Sequence, residues 1–359
     1  MSARVERPEQ GPLVEVTDLR TSFKTPRGRV RAVDGVSLAL DRGRALGIVG
    51  ESGSGKTVLS RSIMGLLTGR SVERQGSVRF EGQELIGRSG REMRHIWGQE
   101  MSMIFQDPMT SLNPLMKIGK QITEPLKAHL DMKGRQAEET AEQLLRDVQI
   151  PEATRRLGQY PHELSGGMRQ RVMIAIALAC GPTLLFADEP TTALDVTVQA
   201  QILALIGRQR RERNMSVVLV THDLGVVAGH TDEIAVMYGG RIVEKAPTTT
   251  LFADMKMPYT EALMASIPKL DDPPHSVLRT IPGRPPDLVN PPRGCRFAPR
   301  CLYARERCTE EEPPLIPTDD PEHTYACWYP VGSPEHRERR AELDAAADAA
   351  RGASFQDVS

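Results

Sequence analysis

The sequence predicts an α/β protein built on a mostly parallel sheet with helices on its faces. Three observations carry this reading. From residue 183 to 229, short apolar strands (183–187, 216–221) alternate with helical patterns (about 197–213 and 223–229). A glycine-rich loop joins an apolar strand (45–49, ALGIV) to a helix expected from about Lys56 to Leu67. The strand at 183–187 runs directly into two carboxylates, Asp188 and Glu189.

The remaining elements follow in chain order. Residues 13–19 (LVEVTDL) alternate enough to start a strand, and 101–105 (MSMIF) read as a buried one. Residues 135–148 and about 167–180 carry apolar side chains at helical spacing, and 233–246 read as a hairpin turning at Gly239–Gly240. From Pro268 to Pro334 the chain is proline-rich and excludes extended helix or central strand. The tail, 335–359, is charged and alanine-rich, and reads as a frayed helix or a disordered end. The expected division is therefore 13–267, with a helical part at about 107–180, then an extension (268–334), then the tail.

Composition narrows the function classes. The 359 residues are 39% hydrophobic and 26% charged, which suits a globular protein with a sizeable core. A net charge of −1 and 4% aromatic content argue against a nucleic-acid surface. Residues 1–12 lack the apolar stretch of a secretory signal. The most apolar segment, 172–187, is interrupted by Gly181 and Pro182, and a bilayer needs about 20 apolar residues. Any membrane connection is expected through partners.

Gly50-Glu51-Ser52-Gly53-Ser54-Gly55-Lys56-Thr57 fits G-x-x-x-x-G-K-[ST]. Glycines let backbone N–H groups curl around phosphate oxygens, and the following helix turns its positive end to the anion. Lys56 is expected on the β- and γ-phosphates and Thr57 on Mg²⁺. Asp188 is expected to hold Mg²⁺ and Glu189 to polarise the attacking water. Leu164-Ser165-Gly166-Gly167-Met168 opens a helix and offers a second glycine-rich anion site.

These motifs, in this order, resemble those of ABC ATPases, with Met168 where the signature LSGGQ has glutamine. The resemblance covers about residues 13–250 and implies a P-loop NTPase fold with a parallel core, an antiparallel β subdomain and a helical subdomain. It implies that Gln106 is the Q-loop residue, near Mg²⁺ and the membrane partner. It likewise implies that Ala193-Leu194-Asp195 is the D-loop, His222 the switch histidine at the γ-phosphate, and Phe23 an aromatic stacked on adenine. Two such domains would dimerise head to tail, with Ser165, Gly166, Gly167 and Met168 completing the partner's ATP site. Because Lys56, Asp188, Glu189 and His222 are all present, this half is expected to hydrolyse ATP rather than serve as a non-enzymatic regulatory half.

Four of the five cysteines, Cys295, Cys301, Cys308 and Cys327, are spaced C-x5-C-x6-C-x18-C; Cys180 reads as core. Four thiolates suit zinc or an iron–sulfur cluster, and the spacing alone does not choose. The stretches GCRFAPRCLYARERC (294–308), FQDPMTSLNP (105–114) and DEPTTALDVTVQAQIL (188–203) resemble the oligopeptide/dipeptide permease ATPases. That resemblance implies a [4Fe–4S] cluster in preference to zinc. It implies two transmembrane permease subunits, a second ATPase subunit (a paralogue or a second copy) and an extracytoplasmic substrate-binding protein, but no nucleic acid. It places the chain at the cytoplasmic face of the cell membrane. The alternatives are a soluble ABC ATPase of translation or DNA repair, and an importer of nickel or another small solute.

Overall fold

The computed structural model describes residues 11–107, 111–192, 194–267 and 280–356. Residues 1–10, residues 108–110 of the stretch 105–114, Ala193 of the expected D-loop and the expected boundary at Pro268 lie outside them.

Two sheets organise the described chain. The first is antiparallel, in the order β2-β1-β4-β5, from β1 (Val14–Thr25), β2 (Gly28–Leu40), β4 (Val72–Phe80) and β5 (Gln83–Glu84). In β1 the buried residues Val14 and Val16 alternate with exposed neighbours, and the alternation then slips so that Leu19 and Thr21 are next inside. The cause is a bulge: Asp18 has φ 46° and the pairing with both β2 and β4 shifts there. The kink is packed against Gly76, where a Cβ would lie 2.4 Å from the Asp18 carbonyl oxygen.

The second sheet has the order β11-β12-β10-β9-β3-β8-β7-β6. Its core strands β3 (Ala45–Val49), β6 (Met101–Ile104), β7 (Leu184–Asp188), β8 (Ser216–Thr221) and β9 (Glu233–Tyr238) are parallel, with β3 between β8 and β9. All five residues of β3 and of β7 are buried. Such strands read as unbroken apolar runs because both faces are covered. Alternate residues serve different cores. Ala45, Val49, Leu185 and Ala187 join the side with the helical part, while Leu46, Ile48, Leu184 and Phe186 pack with β1, β2 and β4.

The helical part comprises Ile118–Leu130, Gly134–Asp147, Ala153–Leu157 and Gly166–Leu178. Ile118, Ile122, Leu126, Ala141, Leu144 and Leu145 form its seam, all on the face set by helical spacing. The hairpin expected at Gly239–Gly240 is present: β9 pairs antiparallel with β10 (Arg241–Pro247).

The proline-rich extension folds back onto the sheet. β12 (Thr324–Tyr325) pairs with β10, and β11 (Ile316–Pro317) pairs with β12. Both are two-residue strands; β11, which contains Pro317, is the outermost, where proline is tolerated, and β12 lies between it and β10. The tail is the main departure from expectation. Pro334–Gln356 is helical, and its start is docked rather than frayed. His336 is buried against the Tyr303 ring at 4.0 Å, and Arg340 meets Glu261 at 3.0 Å.

Candidate nucleotide site

Because the core strands are parallel, their carboxyl ends share one edge of the sheet. Gly50 follows β3, Gln106 lies two residues beyond β6, and Glu189 and His222 follow β7 and β8. Open α/β sheets bind ligands at such an edge, beside the point where strand order reverses.

The loop after β3 is held by close backbone approaches. A Cβ on Gly50 would lie 2.1 Å from Met237 O, and one on Gly55 (φ 103°) would lie 2.2 Å from Ala32 O. Only glycine fits at either place. Lys56, 5% exposed, donates from Nζ to Gly50 O (2.7 Å) and Glu51 O (2.9 Å). Burial lowers its pKa, and the carboxylates of Glu189, Asp188 and Glu51 oppose that shift. The Ser54 hydroxyl is buried in the loop without a partner.

Thr57 donates from Oγ1 to Asp188 Oδ1 at 2.9 Å. Asp188 is fully buried and its Oδ2 has no partner. Burial raises its pKa, with the Thr57 hydroxyl, Arg61 and Lys56 acting against the rise. An orphaned buried carboxylate oxygen beside a threonine hydroxyl is a donor set that fits Mg²⁺.

Glu189 gathers the other strand ends. Its backbone is left-handed, φ 46°, which turns the side chain out of the strand. Gln106 Nε2 and Thr192 Oγ1 donate to Glu189 Oε2 at 3.0 and 2.9 Å, and His222 Nδ1 lies 3.5 Å from Oε1. Lys56, Thr57, Gln106, Asp188, Glu189 and His222 are thus one constellation.

The other expected residues lie elsewhere. Ser165 caps the helix Gly166–Leu178, its Oγ accepting from Met168 N at 3.3 Å. Asp195 caps Val196–Arg213 by accepting from Val198 N at 2.9 Å. The two helix starts touch: a Cβ on Gly167 would be 2.9 Å from Val198 Cγ1. Among the described residues, no hydrogen bond of Ser165, Gly166, Gly167 or Met168 reaches the loop 50–57. Phe23 is half-buried in β1, paired with Val30 and Val72. Nearby, Thr21 shares a 2.8 Å hydrogen bond with Ser62 of the helix Lys56–Ile63.

Sequence reasoning missed three residues: Tyr259 and Arg300 hold the loop from behind, and Arg296 holds the neighbouring Asp34 and Gly239. Tyr259 Oη accepts from Glu51 N at 2.9 Å. Arg300 forms a bidentate pair with the Glu51 carboxylate, and Arg296 pairs with Asp34 and donates to Gly239 O. No spacing rule links residue 51 to 259 or 300.

Cys295, Cys301, Cys308 and Cys327 are free thiols lining one cavity of about 20 Å³. Burial pushes Cys295 to about 11 and Cys301 to about 12, and pushes Cys327 up as well. Backbone N–H groups of Phe297, Tyr303 and Tyr329 face the sulfurs of Cys295, Cys301 and Cys327 in that order. The thiols converge, but the described residues contain no group of three or more His, Cys, Asp or Glu side chains arranged to hold a metal ion. The expected cluster, and its zinc alternative, therefore gain no support from the arrangement of these side chains. Cys180, expected in the core, is half-buried with its Sγ 3.5 Å from Pro125 O.

Comparison with known proteins decides the family. The ABC transporter family model matches residues 33–192. The chain is 51% identical to an oligopeptide transport ATP-binding protein, OppD, of Bacillus subtilis, over 88% of both chains. It is 49% identical to the OppD of Haemophilus influenzae, over 88% of this chain and 97% of the relative. This chain belongs to the ABC transporter ATP-binding proteins. A second family model, the oligopeptide/dipeptide transporter C-terminal region, matches this ABC ATPase at residues 243–308, which include Cys295, Cys301 and Cys308. The fold agrees. A dimeric ATP-binding cassette, MJ0796, bound to ADP and phosphate, superposes with TM-score 0.60 at 27% identity, covering 66% of this chain and 98% of that one. As a transport ATPase of this family, the chain takes ATP with Mg²⁺. No described helix is long and apolar enough to cross a membrane.

Proposed function

We propose that this chain is the ATP-hydrolysing subunit of an importer of oligopeptides, working at the cytoplasmic face of a membrane. The carrying observation is the constellation at the strand ends: Thr57 on Asp188, and Gln106, Thr192 and His222 around Glu189. The peptide cargo rests on the OppD relatives and on the C-terminal region shared with oligopeptide/dipeptide transporters. Identity along most of the chain sets aside the soluble reading in translation or DNA repair.

Each residue has a role its position supports. The N–H groups of 50–55 cradle phosphate oxygens, and Lys56 Nζ turns from the Gly50 and Glu51 carbonyls to the same anion. Thr57 Oγ1 and the unpartnered Asp188 Oδ2 would hold Mg²⁺, with Gln106 beside them, and the ion would supply positive charge to offset the phosphates. Glu189 takes a proton from the attacking water, and His222, 60% exposed at its side chain, reaches the γ-phosphate. Phe23 supplies the adenine-stacking ring.

Ser165, Gly166, Gly167 and Met168 serve a second ATPase subunit, with Asp195 beside them. That subunit, a paralogue in our reading, offers its own signature loop in return. Leu115, 86% exposed in the segment after Gln106, suits contact with one of two permease subunits, and Val196, 83% exposed beside Asp195, suits contact with the second ATPase. An extracytoplasmic binding protein delivers the peptide.

Glu189→Gln tests the catalytic reading. ATP turnover of the assembled transporter should fall by about 10²-fold or more while ATP binding persists. Unchanged turnover would remove Glu189 from the mechanism.

For the four cysteines, the finer assignment is a structural [4Fe–4S] centre, with zinc as the alternative. What recommends it is the sequence: four cysteines confined to the extension, three of them inside the region shared with oligopeptide/dipeptide transporters. Anaerobic purification with iron, sulfide and zinc analysis decides. Iron and sulfide in equal amounts, lost in Cys301→Ser, support the cluster; zinc without sulfide supports the alternative; neither removes both.

A further inference from the structure

Glu51 poses a problem that the nucleotide motif does not solve. It is the second residue of the phosphate loop, and a free carboxylate there would repel the polyphosphate that the loop must bind. Its side chain is only 25% exposed, so solvent screens it poorly.

The answer comes from the far end of the sequence. Arg300 stands immediately before Cys301, at the end of the short helical turn Ala298–Arg300. Its Nη1 and Nη2 donate to Glu51 Oε2 and Oε1 at 2.5 and 2.9 Å, in the fork geometry peculiar to guanidinium. The remaining donors are fixed as well. Nε donates to Pro282 O at 2.8 Å, Nη2 to Ile281 O at 3.2 Å and Nη1 to Tyr238 Oη at 3.3 Å. The Arg300 side chain is 4% exposed. Tyr238, Tyr259 and Phe297 form a ring cluster around this point, with centroids 4.5–5.3 Å apart. From it, Tyr259 Oη takes the Glu51 N–H. The guanidinium is thus a fixed part of the extension, held by two other chain segments, 281–282 and Tyr238, besides Glu51.

We infer that Arg300 is a positioning residue for ATP binding: it neutralises the Glu51 carboxylate and pins it away from the phosphates. The extension beyond residue 280 is then a working part of the nucleotide site, although it supplies no group that touches nucleotide. The inference rests on the reading of residues 50–57 as the ATP loop.

The test is titration of full-length protein with a fluorescent ATP analogue, and steady-state ATPase kinetics beside it. Arg300→Gln should weaken binding about tenfold, appearing in KM, with kcat at saturating ATP within about threefold of wild type. Arg300→Lys, which keeps the charge and loses the fork, should fall between. The deciding variant is the double substitution. Once Glu51 is neutral it no longer repels phosphate, so Arg300→Gln/Glu51→Gln should recover to within about threefold of wild-type affinity. A merely structural Arg300 predicts no such recovery. His323→Gln, at a buried pair outside the loop, controls for lost stability and should leave affinity unchanged. Wild-type affinity in Arg300→Gln, or a double variant as weak as the single, would overturn the inference. Binding by the wild-type chain in the same titration separates that failure from failure of the ATP-loop reading.

Discussion

At the scale of single residues, the site is assembled against the interest of folding. Asp188 is a carboxylate with no exposure, one satisfied oxygen and one orphan. Burial raises its pKa, so folding disfavours its charged form. The sign follows: the stability linked to this group is full below the ordinary carboxylate range and is lost as pH rises through the raised value. Asp188→Asn keeps the Thr57 contact and removes the buried charge. It should therefore raise the thermal midpoint of the nucleotide-free chain near pH 7 while impairing Mg²⁺-dependent turnover, and the gap should close towards about pH 4. Melting curves across that range check it; a gap independent of pH would show that charge burial is not the cause. The convergence of Lys56, Thr57, Asp188 and Glu189 was legible in the sequence because the loop 50–57 and the strand ending at Asp188 both mark strand ends of one parallel sheet. Arg300 was not legible. Its partner is 249 residues away, and an arginine beside a cysteine carries no local signal.

At the scale of elements, legibility followed the number of buried faces. β3, β7 and β8 stood out as apolar runs because the sheet is covered on both sides. β2 and β4 were not placed residue by residue, and β1 was read only to residue 19, where the Asp18 bulge interrupts the alternation. The extension was read by what proline forbids, which is right for its two-residue strands but silent about what anchors them. The anchor is polar and buried. His323 (1% exposed) bonds Glu244 (0% exposed) at 2.9 Å, and Glu244 also accepts from Lys256 N and Met257 N. Replacing His323 with Ala leaves a buried acceptor short of a partner and should cost about 1–3 kcal/mol. Denaturant unfolding of the full chain measures this; a loss below about 0.5 kcal/mol would mean that β12 is held by other contacts.

At the scale of the whole molecule, one sheet serves two cores, and its shared edge gathers the residues of the candidate site. That architecture was readable because the loop 50–57, Gln106, Asp188-Glu189 and His222 each lie at or just past a strand end, and strand ends in a parallel sheet lie together. The docking of the extension and the helical tail was unreadable, since both depend on contacts between segments distant in sequence. The Glu51–Arg300 pair makes the difference concrete. A chain trimmed after residue 267 would keep residues 50–57, residues 164–168, Asp188, Glu189 and His222, every motif of the proposed ATP site. Any inventory of motifs would score it as whole. It would nevertheless carry an uncompensated anion in the loop that receives an anionic ligand. For proteins of this build, the boundary of the ATPase is set by where its charges are balanced rather than by where its recognisable words end.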